Sequence, residues 1–480
     1  MRASVCGAFG RRRAILLCAL VGCVEYGDPI QPPAPEPMAA PRPPSYGYGI
    51  LPASPPPAIT GGAAAPAMEL AAESPSATPA AELMEPAEPE PAPGPLPGSP
   101  PPDLPLLGTP RRPELDPAVA QMMTLRDYLA QSGDLITGLT RDDWDPSAGG
   151  GDVSGFTPDF RVAPSGGSHT SVQDAISQAV AEGGSARRYI QLAAATYREV
   201  VCVPSDAPPI TLYSLEPDAS RTVIAFDNYS GKAKAAGTPA NPCSPNTNAT
   251  SFGTSGSSTF AVLARDFVAK NLTIANDADE DQADGNLQAP ALLSQGDRAL
   301  YDNVRVLGNQ DTLLAKSPDV DTVARAYFKS SYIEGDSEFI LGRGTLVLDG
   351  CTIRSLTSRV SGAVLAPSTD ARNRHGFLVT HSTFSADSGA DDSSIRLGRA
   401  WDENQSDLAA YAELVATGAY PNGQALVRDS VIGAHIDADE PWRSASTSNR
   451  PYDSAAGEYP PNRLYEFANT GPGSASAVAP

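Results

Sequence analysis

Residues 301–355 read YDNVRVLGNQDTLLAKSPDVDTVARAYFKSSYIEGDSEFILGRGTLVLDGCTIRS. One phrase returns three times inside them: Asn303-Val304-Arg305-Val306, Ser331-Tyr332-Ile333 and Cys351-Thr352-Ile353. Outside the stretch it recurs as Asn271-Leu272-Thr273-Ile274, Ser382-Thr383-Phe384 and Ser430-Val431-Ile432. A small or polar residue followed by apolar alternation is the mark of a strand with one buried face. The spacing runs from 20 residues (331 to 351) to 48 (382 to 430), which suits a solenoid whose coils carry inserted loops of unequal length. The expected fold is an all-β parallel β-helix, in which each coil buries its inward residues against its neighbours. A β-sandwich is the structural alternative, disfavoured because one phrase repeats at coil-like spacing.

The rest of the chain is organised around that solenoid. Of 480 residues 48 are proline and 42 glycine, and most of the proline lies before about residue 118. A Pro-, Ala- and Glu-rich segment cannot bury enough apolar surface to offset its ordering entropy, so residues 23–115 read as a disordered tether. Residues 116–157 read as a lead-in with a short helix over Met122–Gln131, 158–440 as the β-helix domain and 441–480 as a C-terminal tail. A second helix is expected at Ser171–Glu182 with Thr170 as its N-cap.

At the other end, Arg11, Arg12 and Arg13 precede an apolar run from Ala14 to Gly22, too short to span a bilayer and typical of a signal peptide over 1–22. The run ends Leu20-Val21-Gly22-Cys23, which resembles a bacterial lipobox with Cys23 as the lipidated residue. The chain is therefore expected to be exported and held at the outer membrane by a lipid anchor; a cleaved signal and secretion is the alternative. Cys202 and Cys243 can form a disulfide in an oxidising compartment, leaving Cys351 buried and free. The net charge of −22 argues against nucleic acid, whose phosphates need clustered Lys and Arg. It is compatible with an acidic polymer whose carboxylates are masked as esters. The four histidines show no metal-ligand spacing, and His375 is expected to be exposed.

Three segments carry the chemistry. They are Gly308-Asn309-Gln310-Asp311-Thr312-Leu313, then Gly335-Asp336-Ser337-Glu338-Phe339-Ile340-Leu341-Gly342, then Leu397-Gly398-Arg399-Ala400-Trp401. In that order they resemble the motifs of the pectin methylesterase family, with supporting matches at Gln288-Ala289, Val172–Ile176 and Tyr197–Val200. The resemblance spans about residues 158 to 436. It implies a right-handed, single-stranded, pectin-lyase-like solenoid and a hydrolase that removes methyl esters from homogalacturonan or oligogalacturonides without metal or organic cofactor. By the same resemblance Asp311 is the acid/base, Glu338 the nucleophile, Gln310 and Gln288 the oxyanion donors, and Arg399 the partner of the nucleophile. Trp401 and Leu341 belong to the sugar-binding surface. A monomer is expected.

The chain departs from the pattern at Glu338, where the family has Asp, at Leu341 and Leu314, where it has aromatic rings, and at Ala400, where it has Pro. Asp336, two residues earlier and on the same face if the segment is a strand, is a conceivable substitute nucleophile. Two other readings stay open: a carbohydrate-binding surface protein silenced by Glu338, and a hydrolase of another ester or thioester.

Overall fold

Each recurring phrase stands at a corner where the chain turns from one parallel ladder of strands into the next. The computed structural model describes residues 106–475 apart from 238–240, 245–246, 280–285, 358–361 and 456. The expected signal segment, Cys23 and the tether up to residue 105 lie outside the described residues.

The fold is a parallel β-helix with three ladders. The first runs from Phe160–Val162 through strands such as Arg325–Lys329 and Thr345–Asp349 to Arg463–Phe467. The second holds Tyr332–Gly335, Thr352–Ser355, Thr383–Ala386 and Val431–Ile432. The third is eight-stranded, from Val201–Val203 through Leu313–Ala315, Ile340–Gly342, Ala363–Pro367 and Arg396–Trp401 to Trp442–Ser446.

At the corner between the first and second ladders the backbone takes positive φ, at Asn271, Asn303, Ser330, Gly350, His381 and Asp429. Asn and Gly adopt that region at least cost. Asn303 Nδ2 donates to Asn271 Oδ1 at 2.9 Å, so the asparagines of adjacent coils form a ladder of their own. Further along, Val304 N donates to Ser331 Oγ, Cys351 N to Ser382 Oγ and Ser382 N to Ser430 Oγ, each at 3.0–3.1 Å. The serines at these corners thus satisfy backbone N–H groups that the turn removes from the ladder. The interior behind it is apolar and partly aromatic, with Tyr301 stacked on Phe328 at 4.3 Å.

The first ladder is apolar on both faces: Leu346 and Leu348 point to the core while Val347 points outward. A strand buried on both faces needs a cover, and residues 106–130 supply it. Leu115, Val119, Met123, Tyr128 and Leu129 pack over Val268, Leu300, Tyr327, Val347, Leu378 and Leu426. This moves the boundaries read from sequence. Leu106–Thr109 and Arg112–Leu115 form an antiparallel hairpin, so folded structure begins inside the stretch assigned to the tether. The second strand pairs with Arg463–Phe467, where Arg112 and Glu466 form a buried ion pair at 2.6 Å. Residues 441–475 are likewise no tail, since they supply strands to two ladders. The lead-in helix is shorter than expected, Leu125–Ala130, started by a Thr124/Asp127 capping box. Helix Val172–Glu182 is capped by Ser171 rather than Thr170, and it buries Val172, Ala175, Ile176 and Ala179 against the first coil. Cys202 and Cys243 are bridged and Cys351 is free and buried.

His375 is buried, not exposed: its ring packs on Tyr128 at 4.4 Å beneath the lead-in. Burial pushes its pKa down to about 3, with Arg374 adding to the shift. The unfolded chain then takes up a proton below the ordinary histidine value while the folded chain does not. The stabilisation is complete above about pH 6.5 and is lost as pH falls toward 3, by up to about 1.4 kcal/mol per pH unit. The melting temperature is expected to fall between pH 7 and pH 5, and to fall less in His375→Phe; equal falls would mean that other groups carry the effect.

Candidate active site

Leu313 pairs with Ile340 and Leu314 with Leu341 on consecutive coils of the third ladder. Asp311 and Glu338, two residues ahead of each strand, therefore hold the same position on neighbouring coils, about 4.8 Å apart along the axis by strand spacing. Both backbones are left-handed, with φ of 66° and 46°. Such conformations cost on the order of 1–3 kcal/mol and persist where the surroundings enforce them. Here Asp311 N donates to Ser337 O at 3.2 Å and Glu338 N to Ala363 O at 2.7 Å.

Two glycines fix the turn that carries Glu338. A Cβ at Gly335 would lie 2.5 Å from Asn309 O, and one at Gly342, whose φ is 124°, would lie 1.8 Å from Ala315 O. Only glycine lets the two coils approach this closely. The expectation of a continuous strand through Asp336 fails for the same reason: one strand ends at Gly335 and the next begins at Ile340. Asp336 is buried in the turn, its N–H donating to Asn309 O at 3.2 Å, so it does not share a strand face with Glu338.

Arg399 lies two coils further on and reaches back to Glu338, with Nη2 bonded to Oε1. Its path is open because the intervening coil carries only Ala363 and Ala366 at the matching positions. Burial, and then Arg443 on the following coil, push the Arg399 pKa down from its ordinary value, yet a guanidinium stays charged at any working pH. The contact holds the Glu338 carboxylate in one direction.

The two glutamines sit on neighbouring coils beside this pair. Ala289 N donates to Gln310 O at 3.1 Å, which places Gln288 and Gln310 side by side just ahead of Asp311. Leu341 is only 3% exposed and belongs to an outer apolar stripe with Ala261, Leu293, Leu314 and Ala366, against which Trp401 packs. Leu341 is therefore a floor beneath Trp401, not a surface a sugar could cover. Gln288, Gln310, Asp311, Glu338, Leu341, Arg399 and Trp401 all lie on strands of the third ladder or in the turns that lead into them.

Sequence reading missed what anchors Arg399 and Trp401. The strand that carries them shifts register between those two residues, as bulges do beside functional sites. The next residue, Asp402, is fully buried and held by Arg450, also fully buried, with Nε and Nη2 each 3.0 Å from a carboxylate oxygen. Ser448 Oγ donates to the same carboxylate at 2.6 Å. Glu403 follows, gripped by Arg343 at 2.5 Å and Lys316 at 3.1 Å.

Residues 159–416 match the family model described as Pectinesterase. A pectinesterase of Ralstonia solanacearum is 46% identical over 377 residues, covering 77% of this chain and 93% of the relative. The rice weevil pectin methyl esterase structure is similar at 30% identity and a TM-score of 0.64, over 76% of this chain and 98% of that one. Escherichia coli YbhC, provisionally named an acyl-CoA thioester hydrolase, is similar in structure at 28% identity and a TM-score of 0.65, covering 76% and 96%. With the motifs, the coil register and the paired carboxylates in agreement, this chain belongs to the pectinesterase family.

Proposed function

We propose that this protein is a pectinesterase, hydrolysing the methyl esters of homogalacturonan to free carboxylates and methanol. The observation that carries the reading is the alignment of Asp311 and Glu338 on adjacent coils with Arg399 bonded to Glu338.

In this mechanism the Glu338 carboxylate attacks the ester carbonyl and the electron pair moves onto the carbonyl oxygen. Gln310 and Gln288 donate to that oxyanion, which needs donors already in place. Collapse breaks the C–O bond to the methoxy group, and protonated Asp311 gives its proton to the leaving oxygen, so that methanol departs. Glu338 is left as a mixed anhydride with the sugar acid. Asp311, now a carboxylate, takes a proton from water as the water attacks the acyl carbon. The second collapse restores Glu338 and its pairing with Arg399. Two neighbouring carboxyl groups share these tasks because one is favoured as the neutral acid when the other is ionised. Trp401 offers a flat face for a sugar ring.

The longer side chain of glutamate fits this geometry through its contact with Arg399. Glu338→Asp withdraws the carboxylate by about 1.5 Å, and is expected to lower turnover on the order of a hundredfold. Asp311→Ala is expected to lower it about a thousandfold. Methanol release from highly methyl-esterified pectin measures both. A wild-type chain that releases thiol from acyl-CoA and no methanol from pectin would transfer the same machinery to the thioester reading, which the likeness to YbhC favours.

We also propose that the chain is exported and lipid-anchored at Cys23. Arg11–Arg13 ahead of the apolar run support this, and the Cys202–Cys243 disulfide suits an oxidising compartment. Among the described residues no helix is long and apolar enough to cross a membrane.

A further inference from the structure

The catalytic pair occupies one end of the third ladder, and a cavity of about 480 Å³ opens at the other. That volume is in the range of small-molecule sites. Ser317 and Arg343 line it, six residues past Asp311 and five past Glu338, so the cavity lies at most about 20 Å along the strands from the reacting groups. Glu403, in its wall, is two residues past Trp401. Arg399, Trp401 and Glu403 therefore lead from the catalytic end to the cavity.

Its charges are internally matched. Arg372 is held by Asp370 at 2.8 Å and Asp321 at 2.7 Å, and Arg343 by Glu403 at 2.5 Å. The lining holds three carboxylates against two guanidiniums, each guanidinium already engaged, so nothing there is free to neutralise an incoming carboxylate. Ile136, 71% exposed, and Val320, 54% exposed, line it from separate loops, and Tyr420 is also in the lining. Apolar faces beside hydrogen-bonding groups suit an uncharged pyranose ring.

We propose that this cavity is a second polymer-binding site, distinct from the catalytic corner, which takes methyl-esterified and hence uncharged galacturonosyl units in preference to free acids. The proposal rests on the pectinesterase reading. It makes the enzyme hold the polymer where esters remain and release it where they have been removed.

The test is a calorimetric titration of the full chain carrying Glu338→Gln, which prevents turnover, with a methyl-esterified oligogalacturonide and with its demethylated counterpart. The esterified oligomer is expected to bind at least fivefold tighter. Adding Ile136→Lys and Val320→Lys, at positions too exposed to threaten the fold, should supply unpaired cations and abolish the preference. Equal affinities in the first protein, or a preference that survives the two lysines, would overturn the proposal. Failure of the pectinesterase reading is seen separately, as absent methanol release by the wild type, and leaves the titration readable.

Discussion

Glu338→Gln is expected to reduce methanol release on the order of ten-thousand-fold, with the fold retained. The amide keeps the shape of the side chain but cannot form the acyl intermediate, so the loss is that of a nucleophile and not of a contact. Its size separates the two carboxylates. If Asp311 attacked and Glu338 only assisted, the amide would leave a few per cent of the activity, and the larger loss would appear in Asp311→Asn. Trapping supplies a second readout: denaturing the wild type during turnover of an esterified oligomer should capture a galacturonoyl adduct on the peptide containing Glu338, absent from the variant. A melting temperature close to that of the wild type would show that the effect is chemical, since Glu338 holds one side-chain ion pair and its turn is fixed by backbone contacts and Gly335.

Arg450→Ala is expected to cost about 3–5 kcal/mol of stability, because it strands the buried Asp402 carboxylate without its cation. Both side chains are wholly buried, the pairing is two-pronged, and Arg450 also lies over the Tyr411 ring at 4.8 Å. The effect should reach the reaction, since Asp402 adjoins Trp401 and its strand carries Arg399. A variant that remains folded is expected to show a raised KM on pectin as Trp401 loses its anchor. Asp402→Asn with Arg450→Gln, which leaves no lone charge, should recover part of the stability. Urea unfolding of the wild type and the two variants measures the first effect, and pectin saturation curves the second. An Arg450→Ala protein as stable as wild type would mean that water reaches Asp402.

The elements legible in the sequence were those whose cause is local. Asn271 and Asn303 mark corners because the left-handed turn favours asparagine, and Ser331, Ser382 and Ser430 recur because their hydroxyls accept from a backbone N–H at the corner. Asp311, Glu338 and Arg399 were found by their motifs, and the coil register brings them together. What escaped depends on contacts far apart in the chain. Arg450 meets Asp402 across 48 residues and Arg112 meets Glu466 across 354, and no period in the sequence announces either. His375 looked like a polar residue before a strand, but the cover that buries it comes from residues 106–130. Asp336 and Glu338 looked like alternate positions of one strand, and only the close approach of Gly335 to Asn309 turns them apart.

The hairpin of Leu106–Thr109 and Arg112–Leu115, first in sequence among the described residues but last in its ladder, changes how the molecule must come apart and come together. An ordinary solenoid frays one coil at a time from a free end. Here the last coil is clasped by a segment that also lies across the outer face of earlier ones, so peeling cannot begin at the C-terminal side without first lifting residues 106–130. During synthesis the clasp emerges before any strand it will join, and it must wait until Arg463–Phe467 has left the ribosome. Final closure is then a late, whole-chain event, and the same latch that delays completion slows the reverse step, giving the exposed protein resistance to proteases that depends on the unfolding barrier.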